Sequence, residues 1–292
     1  MQVVILCGGQ GTRLRDVSEH LPKPMVPVGE QPILWHIMKG YSQFGINRFV
    51  LCLGYQSWVI KRYFLDYHLA RTDFTVNLRQ PENVQLHGPV PHEDWQITLA
   101  ETGIDAMTGC RLKRVERYLT DDDFLLTYGD GVADIDLDAL LEFHHRHGKL
   151  GTVTAVRPPG RFGEIEVQTG GGVSEFNEKP NVSRGRINGG FFVFKREFLA
   201  RLRDDTTLTL EQEPLIQLAR DGELMAYEHD GFWQPMDTAR DHRYLNDLWQ
   251  RGQAPWCTWA DSPQEAEMHP VSVGARMSKS PRREHAHPRK PR

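Results

Sequence analysis

A glycine-rich segment directly after a short apolar run most constrains what this chain can fold into. Residues 3–6 are continuously apolar, which is typical of a strand buried on both faces of a sheet. The next residues read LCGGQGTRL and place three glycines within four positions, at Gly8, Gly9 and Gly11. Glycines at this spacing let the backbone approach a ligand closely and turn its N–H groups toward an anion. The segment therefore predicts an anion-binding loop at the end of a central strand.

Two common phosphate-binding fingerprints do not match this loop. The dinucleotide fingerprint GxGxxG requires a glycine where this chain has Leu14, and the P-loop pattern, GxxxxGK followed by Ser or Thr, does not fit either. The remaining interpretation is a loop that cradles phosphates and ends in a cation, Arg13, with a second cation, Lys23, ten residues further on. A nicotinamide-dependent dehydrogenase stays open as an alternative, although it would lack the third fingerprint glycine.

Strand and helix patterns alternate over the first half of the chain, which predicts an α/β fold with a Rossmann-like, mostly parallel sheet flanked by helices. After about residue 150, short strands separated by Pro- and Gly-rich turns predict smaller β elements, and no polar linker divides the two halves. The predicted strands cover residues 3–6, 46–53, 95–100, 123–127, 152–156, 164–168, 173–177 and 190–194. The predicted helices cover residues 33–44, 57–69, 110–119, 136–147, 196–203, 213–221 and 240–250.

The charged residues divide the chain into two parts. Residues 261–292 carry seven basic and four acidic side chains, whereas residues 1–260 carry 28 basic and 35 acidic ones. The mildly acidic body argues against nucleic acid as a partner. The last residues are proline-rich, basic and almost free of large apolar side chains, so they bury too little surface to offset the entropy lost on ordering them. We therefore predict a disordered, solvated basic tail over residues 261–292.

Other features of the composition indicate a cytoplasmic protein. No window approaches the roughly 18 uncharged apolar residues of a membrane span, and the first residues lack the basic region of a signal peptide. The four cysteines, at positions 7, 52, 110 and 257, show no CxxC spacing, so we expect neither a disulfide framework nor a zinc site. We expect a cytoplasmic location without stable membrane association.

The glycine-rich loop and the segments that follow it resemble the sugar-1-phosphate nucleotidyltransferases, whose signature is GGxGTRL after a strand and then KPM. Two longer segments, PILWHIMK at residues 32–39 and GFWQPMDT at residues 231–238, resemble the cytidylyl branch of that family. The resemblance covers about residues 1–260, and the tail lies outside it. The other matching segments are MTG at 107–109, RLKRV at 111–115, TYGDGVAD at 127–134, PPGRFG at 158–163, NEKP at 177–180, NGGFFVF at 188–194, EQEPL at 211–215 and APW at 254–256.

The resemblance implies both a fold and a reaction. The fold is that of the nucleotide-diphospho-sugar transferases, with residues 1–150 as a nucleotide-binding half and residues 151–260 as a sugar-phosphate-binding half of one domain. The reaction is CTP + α-D-glucose 1-phosphate → CDP-glucose + diphosphate, by in-line attack of the sugar phosphate on the α-phosphorus with Mg²⁺ as cofactor. The resemblance also implies a homo-oligomer that supplies nucleotide sugars for surface polysaccharides.

Candidate site residues come from the same comparison. Asp130 follows the apolar run at residues 124–128, at the strand end where open α/β sheets bind ligands. The resemblance implies that Asp130 and Asp237 bind Mg²⁺, and two carboxylates plus phosphate oxygens suffice for that ion. The implied catalytic cations are Arg13 for the departing phosphates, Lys23 for the α-phosphoryl group and Lys179 for the sugar phosphate. The implied nucleotide-binding residues are Leu6, Gly8, Gly9, Gln10, Gly11, Thr12, Arg13, Lys23, Thr102, Gly103, Met107, Gly109, Arg111 and Gly129, and the implied sugar-phosphate-binding residues are Glu178, Lys179, Asn188 and Gly189.

Two alternatives within this class stay open. The choice of base depends on a few hydrogen bonds that spacing does not reveal, so a thymidylyl-, uridylyl- or guanylyltransferase acting on a hexose 1-phosphate is the first. Cys110 stands where we expect a second glycine, and it would be the first suspect if the base were different. The second alternative is a catalytically silent scaffold or sugar-nucleotide sensor. Such a protein would have lost catalytic or metal-binding side chains, whereas all of those expected here are present.

Three further groups of residues have simpler structural interpretations. The aspartates at positions 134, 136 and 138 are expected to open the next helix, where carboxylates complement the helix dipole. The histidines at positions 144, 145 and 147 stand at a helix C-terminus, where partial positive charge is favourable, so we expect a structural role. The tryptophans at positions 233, 249 and 256 are expected to be packing anchors.

Overall fold

The strand before the glycine-rich loop lies inside a seven-stranded sheet. The structure is a computed structural model and describes residues 1–9, 21–88, 93–158, 164–167, 169, 173–177 and 185–261. Within these residues the strands are β1 (Gln2–Leu6), β2 (Pro27–Val28), β3 (Gln31–Pro32), β4 (Arg48–Leu53), β5 (Asp73–Asn77), β6 (Gln80–His87), β7 (Gln96–Glu101), β8 (Asp123–Tyr128), β9 (Gly131–Ala133), β10 (Gly151–Val156), β11 (Glu164–Val167), β12 (Val173–Asn177), β13 (Ile187–Lys195), β14 (Leu224–His229) and β15 (Trp233–Pro235). The α-helices are α1 (Ile33–Ser42), α2 (Ser57–Leu65), α3 (Thr108–Arg114), α4 (Leu137–His147), α5 (Glu213–Arg220) and α6 (Ala239–Gln250). Short 3-10 turns cover Lys23–Met25, Leu69–Arg71, Glu116–Tyr118, Arg196–Arg201 and Thr258–Asp261.

The seven strands follow the order β14-β10-β13-β8-β1-β4-β7. Strand β1 pairs in parallel with β4 and β8, β4 pairs in parallel with β7, and β10 pairs in parallel with β14. Strand β13 alone runs antiparallel to its neighbours in this sheet, β8 and β10. The prediction of a mostly parallel α/β sheet is confirmed.

Successive residues of β1 face opposite sides of the sheet, as the period of a strand requires. Val3 and Ile5 join an apolar cluster with helices α1, α4 and α6, whereas Val4 and Leu6 join a second cluster with α3 and α5. Both faces of the sheet are therefore covered by helices. This double burial explains why the strand reads as a continuous apolar run.

The sequence predicted the buried elements better than the exposed ones. The helix expected over residues 110–119 is α3 followed by the 3-10 turn Glu116–Tyr118, and the helix expected over residues 196–203 is the 3-10 turn Arg196–Arg201. Strand β14 at the sheet edge and the antiparallel hairpin of β5 and β6 were not predicted. The residues of β5, DFTVN, alternate polar and apolar side chains, but all five are exposed.

The residues Met1–Trp259 form one compact unit. The basic tail predicted over residues 261–292 lies outside the described residues after Asp261. Among the described residues, no helix has the length and apolar character needed to cross a membrane.

Candidate active site

The loops at the carboxyl ends of the parallel strands meet at one edge of the sheet. The N–H of Gly129, after β8, donates to the carbonyl of Leu6 at 3.1 Å. The N–H of Thr102, after β7, donates to the carbonyl of Leu53, at the end of β4, at 3.0 Å. Because these bonds join neighbouring loops, candidate nucleotide-binding residues from separate parts of the chain come together at the edge where open α/β sheets bind ligands.

Arg111 of helix α3 places its guanidinium group beneath this edge. The residue is only 4% exposed, and burial lowers the pKa of its guanidinium group. Its two terminal nitrogens donate to oxygens of three separate loops, which are the carbonyls of Leu53 (3.1 Å), Gly103 (2.8 Å), Gly8 (3.0 Å) and Ile104 (3.1 Å) and the hydroxyl of Thr102 (2.8 Å). We call this arrangement the Arg111 cage. It ties the loops after β1, β4 and β7 into one unit.

The cage gives the first two glycines of the loop different roles. A Cβ atom on Gly8 would lie 2.0 Å from a terminal nitrogen of Arg111, so Gly8 is needed for the guanidinium to pass. A Cβ atom on Gly9 would have no atom of the described residues within 4 Å. Gly9 is therefore the glycine of this pair that a ligand can approach.

Lys23 lies between two carboxylates from distant parts of the chain. Its ammonium nitrogen donates to Oδ2 of Asp130 and to Oδ1 of Asp237, each at 2.6 Å, and the side chain is 13% exposed. Burial on its own would lower the pKa of Lys23, but Asp130 and Asp237 outweigh it and raise the pKa, so the ammonium stays charged. We call these three residues the Lys23 triad.

Short paired strands bring the two aspartates of the triad together. Asp130 leads into β9, which pairs with β15, and the chain after β15 leads to Asp237. The N–H of Met236 also donates to the carbonyl of Asp130 at 2.8 Å. Directly after Asp237, Thr238 caps helix α6 in a capping box with Asp241. Both carboxylates are thus fixed by backbone pairing and by a helix start.

A cleft opens beside Asp130 and Asp237 at the start of β13. The indole N–H of Trp233 donates to the carbonyl of Gly189 at 2.7 Å, and Asn188 Oδ1 accepts the N–H of Gly190 at 2.8 Å. Gly190 has φ +78°, and a Cβ atom there would lie 2.4 Å from the ring of Tyr128. Glycine is therefore required at position 190, and the backbone of this segment lines the cleft.

The geometry has counterparts in known proteins. A family model described as nucleotidyl transferase matches residues 2–245. The chain belongs to the nucleotidyl transferase family. It is 53% identical to glucose-1-phosphate cytidylyltransferase of Salmonella typhi and 52% identical to that of Salmonella typhimurium, each over 260 residues that cover 89% of this chain and 100% of the relative. Among solved structures, HddC from Yersinia pseudotuberculosis superposes with a TM-score of 0.60 at 21% identity, over 85% of this chain and 99% of that one, which shows a common fold.

Nucleotidyl transferases use a divalent metal ion, and the Lys23 triad offers donors for one. Carboxylate oxygens are the ligands that hard divalent cations take, and Mg²⁺ is usually held by one or two carboxylates together with substrate phosphates. The carboxylates of Asp130 and Asp237 already share one cation, the ammonium of Lys23. Among the described residues no group of three or more His, Cys, Asp or Glu side chains could hold a metal, so the fit depends on phosphate oxygens completing the set.

The structure places most candidate site residues of this nucleotidyl transferase at the edge just described. Asn188 and Gly189 lie in the cleft, whereas Gly109 is buried against Leu208, where a Cβ atom would meet the leucine side chain at 3.0 Å. Met107 is exposed at the start of α3. The candidates Gln10, Gly11, Thr12, Arg13, Glu178 and Lys179 lie outside the described residues.

Three residues of the cleft region were not predicted to act there. Tyr128 lines the cleft and donates its hydroxyl to Glu211, and Trp233 lines the cleft as well as packing. A polar aromatic at the end of a buried strand, directly before the Gly-Asp pair, is the signal that could have identified Tyr128. Glu211 lies in the EQEPL segment, and nothing in its local pattern indicates that it reaches Tyr128.

Several of the residues expected to be structural are so, but Asp134 does not open helix α4, and its Oδ1 lies 3.0 Å from Nε2 of His229. Asp136 caps helix α4 by accepting the N–H of Ala139 at 3.0 Å, as predicted. His144 and His147 both bond the hydroxyl of Thr152, at 2.7 and 2.8 Å. The side chain of Cys110 is buried in the apolar cluster of α3 and α5, and its thiol donates to Oδ1 of Asp204 at 3.3 Å.

Proposed function

We propose that this nucleotidyl transferase converts CTP and α-D-glucose 1-phosphate into CDP-glucose and diphosphate. The observation that supports the proposal most is the Lys23 triad, which combines a permanent cation with two carboxylates at the ligand-binding edge of the sheet. Support for this base and this sugar comes from relatives named glucose-1-phosphate cytidylyltransferase at 52% and 53% identity. Those relatives are matched over their entire length.

The reaction is a direct transfer between two phosphates. An oxygen of the sugar phosphate forms a bond to the α-phosphorus of CTP, and the bond from that phosphorus to the bridging oxygen of the β-phosphate breaks. The attacking phosphate is already an anion near neutral pH, so no general base is needed. Catalysis then consists of holding two repelling anions in line and stabilising the charge of the transferred group.

Lys23 supplies part of this stabilisation. Its raised pKa keeps it charged at neutral pH, and the 3-10 turn Lys23–Met25, with prolines at 22 and 24, restricts its backbone. We assign its ammonium to the α-phosphoryl group. Asp130 and Asp237 would hold Mg²⁺, which when bound supplies positive charge to the phosphate oxygens.

The sugar phosphate would lie in the cleft beside the triad. Asn188 presents an exposed side chain there, and the carbonyl of Gly189 is fixed by Trp233. The resemblance assigns Glu178 to the sugar hydroxyls, Lys179 to the sugar phosphate and Arg13 to the departing diphosphate. We keep these three roles as part of the proposal, with residues 1–150 and 151–260 as the nucleotide and sugar-phosphate halves.

The proposal is tested by diphosphate release. The protein is incubated with Mg²⁺ and glucose 1-phosphate and, in parallel, with CTP, UTP, dTTP, ATP or GTP. We expect release with CTP to exceed release with each other nucleotide by at least tenfold, about 1.4 kcal/mol of discrimination. Removing the metal with EDTA should stop release, and added Mg²⁺ should restore it. Preference for another nucleotide would overturn the base assignment, and no release with any of the five would overturn the proposed reaction.

A single substitution tests the role of Lys179. Changing Lys179→Ala should raise the KM for glucose 1-phosphate, because the incoming phosphate would lose its cation. Lys195→Ala is a matched control, since Lys195 lies at the far end of β13 and donates to the carbonyl of Gly148. An unchanged KM together with wild-type turnover in Lys179→Ala would contradict the assignment.

The homo-oligomer and the cytoplasmic location stay predictions.

A further inference from the structure

The Lys23 triad holds an ammonium on the same two carboxylates that we assign to the metal. The nitrogen of Lys23 lies 2.6 Å from Oδ2 of Asp130 and 2.6 Å from Oδ1 of Asp237. Asp130 and Asp237 line the cleft with side chains that are 32% and 25% exposed, whereas the side chain of Lys23 is 13% exposed. The carboxylates therefore reach the cleft, and the cation that neutralises them is the more deeply buried partner.

The charges of the triad determine what a metal ion would meet there. Two carboxylates and one ammonium leave a single uncompensated negative charge. A divalent cation bound to these carboxylates, at about 2.1 Å from an oxygen, would lie beside the ammonium. Like charges at so short a distance repel each other, and salt screens partly buried charges only weakly. With Lys23 in this position, the two carboxylates form a poor metal site on their own.

A bound nucleotide removes this conflict. The proposed function assigns the ammonium of Lys23 to the α-phosphoryl group, so Lys23 gains a second anionic partner when CTP binds. A lysine has a flexible four-carbon stem and three rotatable donors, so its ammonium can change partners while the 3-10 turn Lys23–Met25 keeps the backbone in place. The phosphates thus draw the ammonium away from the carboxylates and also bring oxygens that complete a Mg²⁺ site.

We propose that Lys23 is an internal cation that occupies the metal-binding carboxylates of the nucleotide-free protein and releases them when the phosphates of the nucleotide accept its ammonium. The inference rests on the proposed function, since it takes Asp130 and Asp237 as metal ligands. Lys23 thereby has a second role beside stabilising the transferred group, because it keeps the metal affinity low until the nucleotide is present.

The test measures Mn²⁺ binding in the absence of nucleotide and sugar phosphate. Mn²⁺ prefers the same oxygen ligands as Mg²⁺, and the electron paramagnetic resonance signal of the free ion gives its Kd. Lys23→Met keeps most of the apolar stem and removes the charge. We expect its Kd for Mn²⁺ to be lower than that of the wild type by about tenfold or more. Adding Asp130→Asn to Lys23→Met should abolish this gain, because one of the two carboxylates is lost.

Lys149→Met is the matched control, because it removes the same charge from a lysine that pairs with Glu223 at 3.2 Å, before strand β10. Its Kd for Mn²⁺ should stay within about twofold of the wild-type value. Thermal unfolding gives a second readout and checks that each variant is folded. Mn²⁺ should raise the Tm of Lys23→Met more than that of the wild type, since the ion replaces the lost cation.

Four results would overturn the inference. They are an equal affinity for Mn²⁺ in the wild type and Lys23→Met, a weaker affinity in Lys23→Met, an equal gain in Lys149→Met, and a gain that persists when Asp130→Asn is added. The titration needs neither CTP nor glucose 1-phosphate, whereas the proposed reaction is tested by diphosphate release. A failure of the inference is therefore distinguishable from a failure of the proposed function.

Discussion

Two cations lie at the ligand-binding edge of this protein, and they differ in what surrounds them. Arg111 is 4% exposed and donates to backbone carbonyls and one hydroxyl from three loops. Lys23 has a 13% exposed side chain and bonds two carboxylates, Asp130 and Asp237. The oxygens around Arg111 belong to neutral groups, whereas the carboxylates beside the cleft can bind a metal ion in place of the ammonium or together with it. The first cation holds the edge together, and the second is available for chemistry.

The comparison changes the interpretation of Arg111. The sequence predicts that Arg111 binds the nucleotide. In the described residues, however, its guanidinium group donates five hydrogen bonds, and all five acceptors are protein oxygens. An unpaired buried charge is costly, and these bonds are what stabilise it here. We infer that Arg111 supports nucleotide binding by shaping the loops. A direct contact with the nucleotide stays a prediction.

The largest expected effect is on turnover in Lys23→Ala. Removing one preorganised cation should lower kcat by on the order of 10²–10³, about 2.7–4 kcal/mol, by analogy with the loss of an oxyanion-hole donor. The loops stay tied by the Arg111 cage, so unfolding should change much less. Steady-state kinetics and thermal unfolding measure the two effects. Retention of wild-type kcat would contradict the proposal that Lys23 takes part in the chemistry while Arg111 holds the loops together.

The second prediction concerns Arg111→Ala. Loss of the guanidinium leaves several buried carbonyls without donors, which should lower the free energy of unfolding by about 3 kcal/mol. Arg111→Lys should rescue only part of this loss, because one ammonium cannot reach five oxygens held around a planar group. Denaturant titration measures both variants. If Arg111→Ala unfolds like the wild type but fails to bind CTP, then Arg111 is a direct ligand and the cage is not structural.

In contrast to these two cations, the buried imidazole of His36 must stay neutral, and this makes stability depend on pH. Burial lowers the pKa of His36 from 6.5 to about 4, and its ring bonds the carbonyl of Val28 and accepts the indole N–H of Trp256. Between pH 6.5 and 4 the unfolded chain binds a proton that the folded chain does not, so stability falls as pH falls through that window. The loss should amount to about 3 kcal/mol.

Denaturant unfolding between pH 7.5 and 4 tests this prediction. The variant His36→Gln should show a shallower fall in stability than the wild type, whereas His68→Gln, at an exposed position, should follow the wild type. Parallel curves for the wild type and His36→Gln would show that His36 does not titrate in this way.

The smallest effect is expected for Cys110→Ala. The sulfur is buried in the core and donates to Asp204, so its removal should cost about 1 kcal/mol of stability. The preference for CTP over UTP should change by less than about twofold. A larger change in base preference would show that Cys110 does act on the base, as the sequence first suggested.

The sequence predicted what depends on local pattern. Strand β1 and the place of Asp130 after a buried strand both follow from runs of a few residues. The Arg111 cage has no such signal, because it exists only where three loops meet in space. The same holds for the contact between Glu211 and Tyr128. Strand β14 was missed because it lies at the sheet edge and none of its residues is fully buried, whereas the alternating pattern of β5, DFTVN, could have identified that strand.

The most direct test of the proposed reaction follows the oxygens of the sugar phosphate. Glucose 1-phosphate labelled with ¹⁸O at its three non-bridging phosphate oxygens is incubated with CTP, Mg²⁺ and the protein, and the products are analysed by mass spectrometry. Attack of the sugar phosphate on the α-phosphorus predicts that all three labelled oxygens appear in CDP-glucose and none in diphosphate. Label in released phosphate or diphosphate, or the absence of CDP-glucose, would contradict the account.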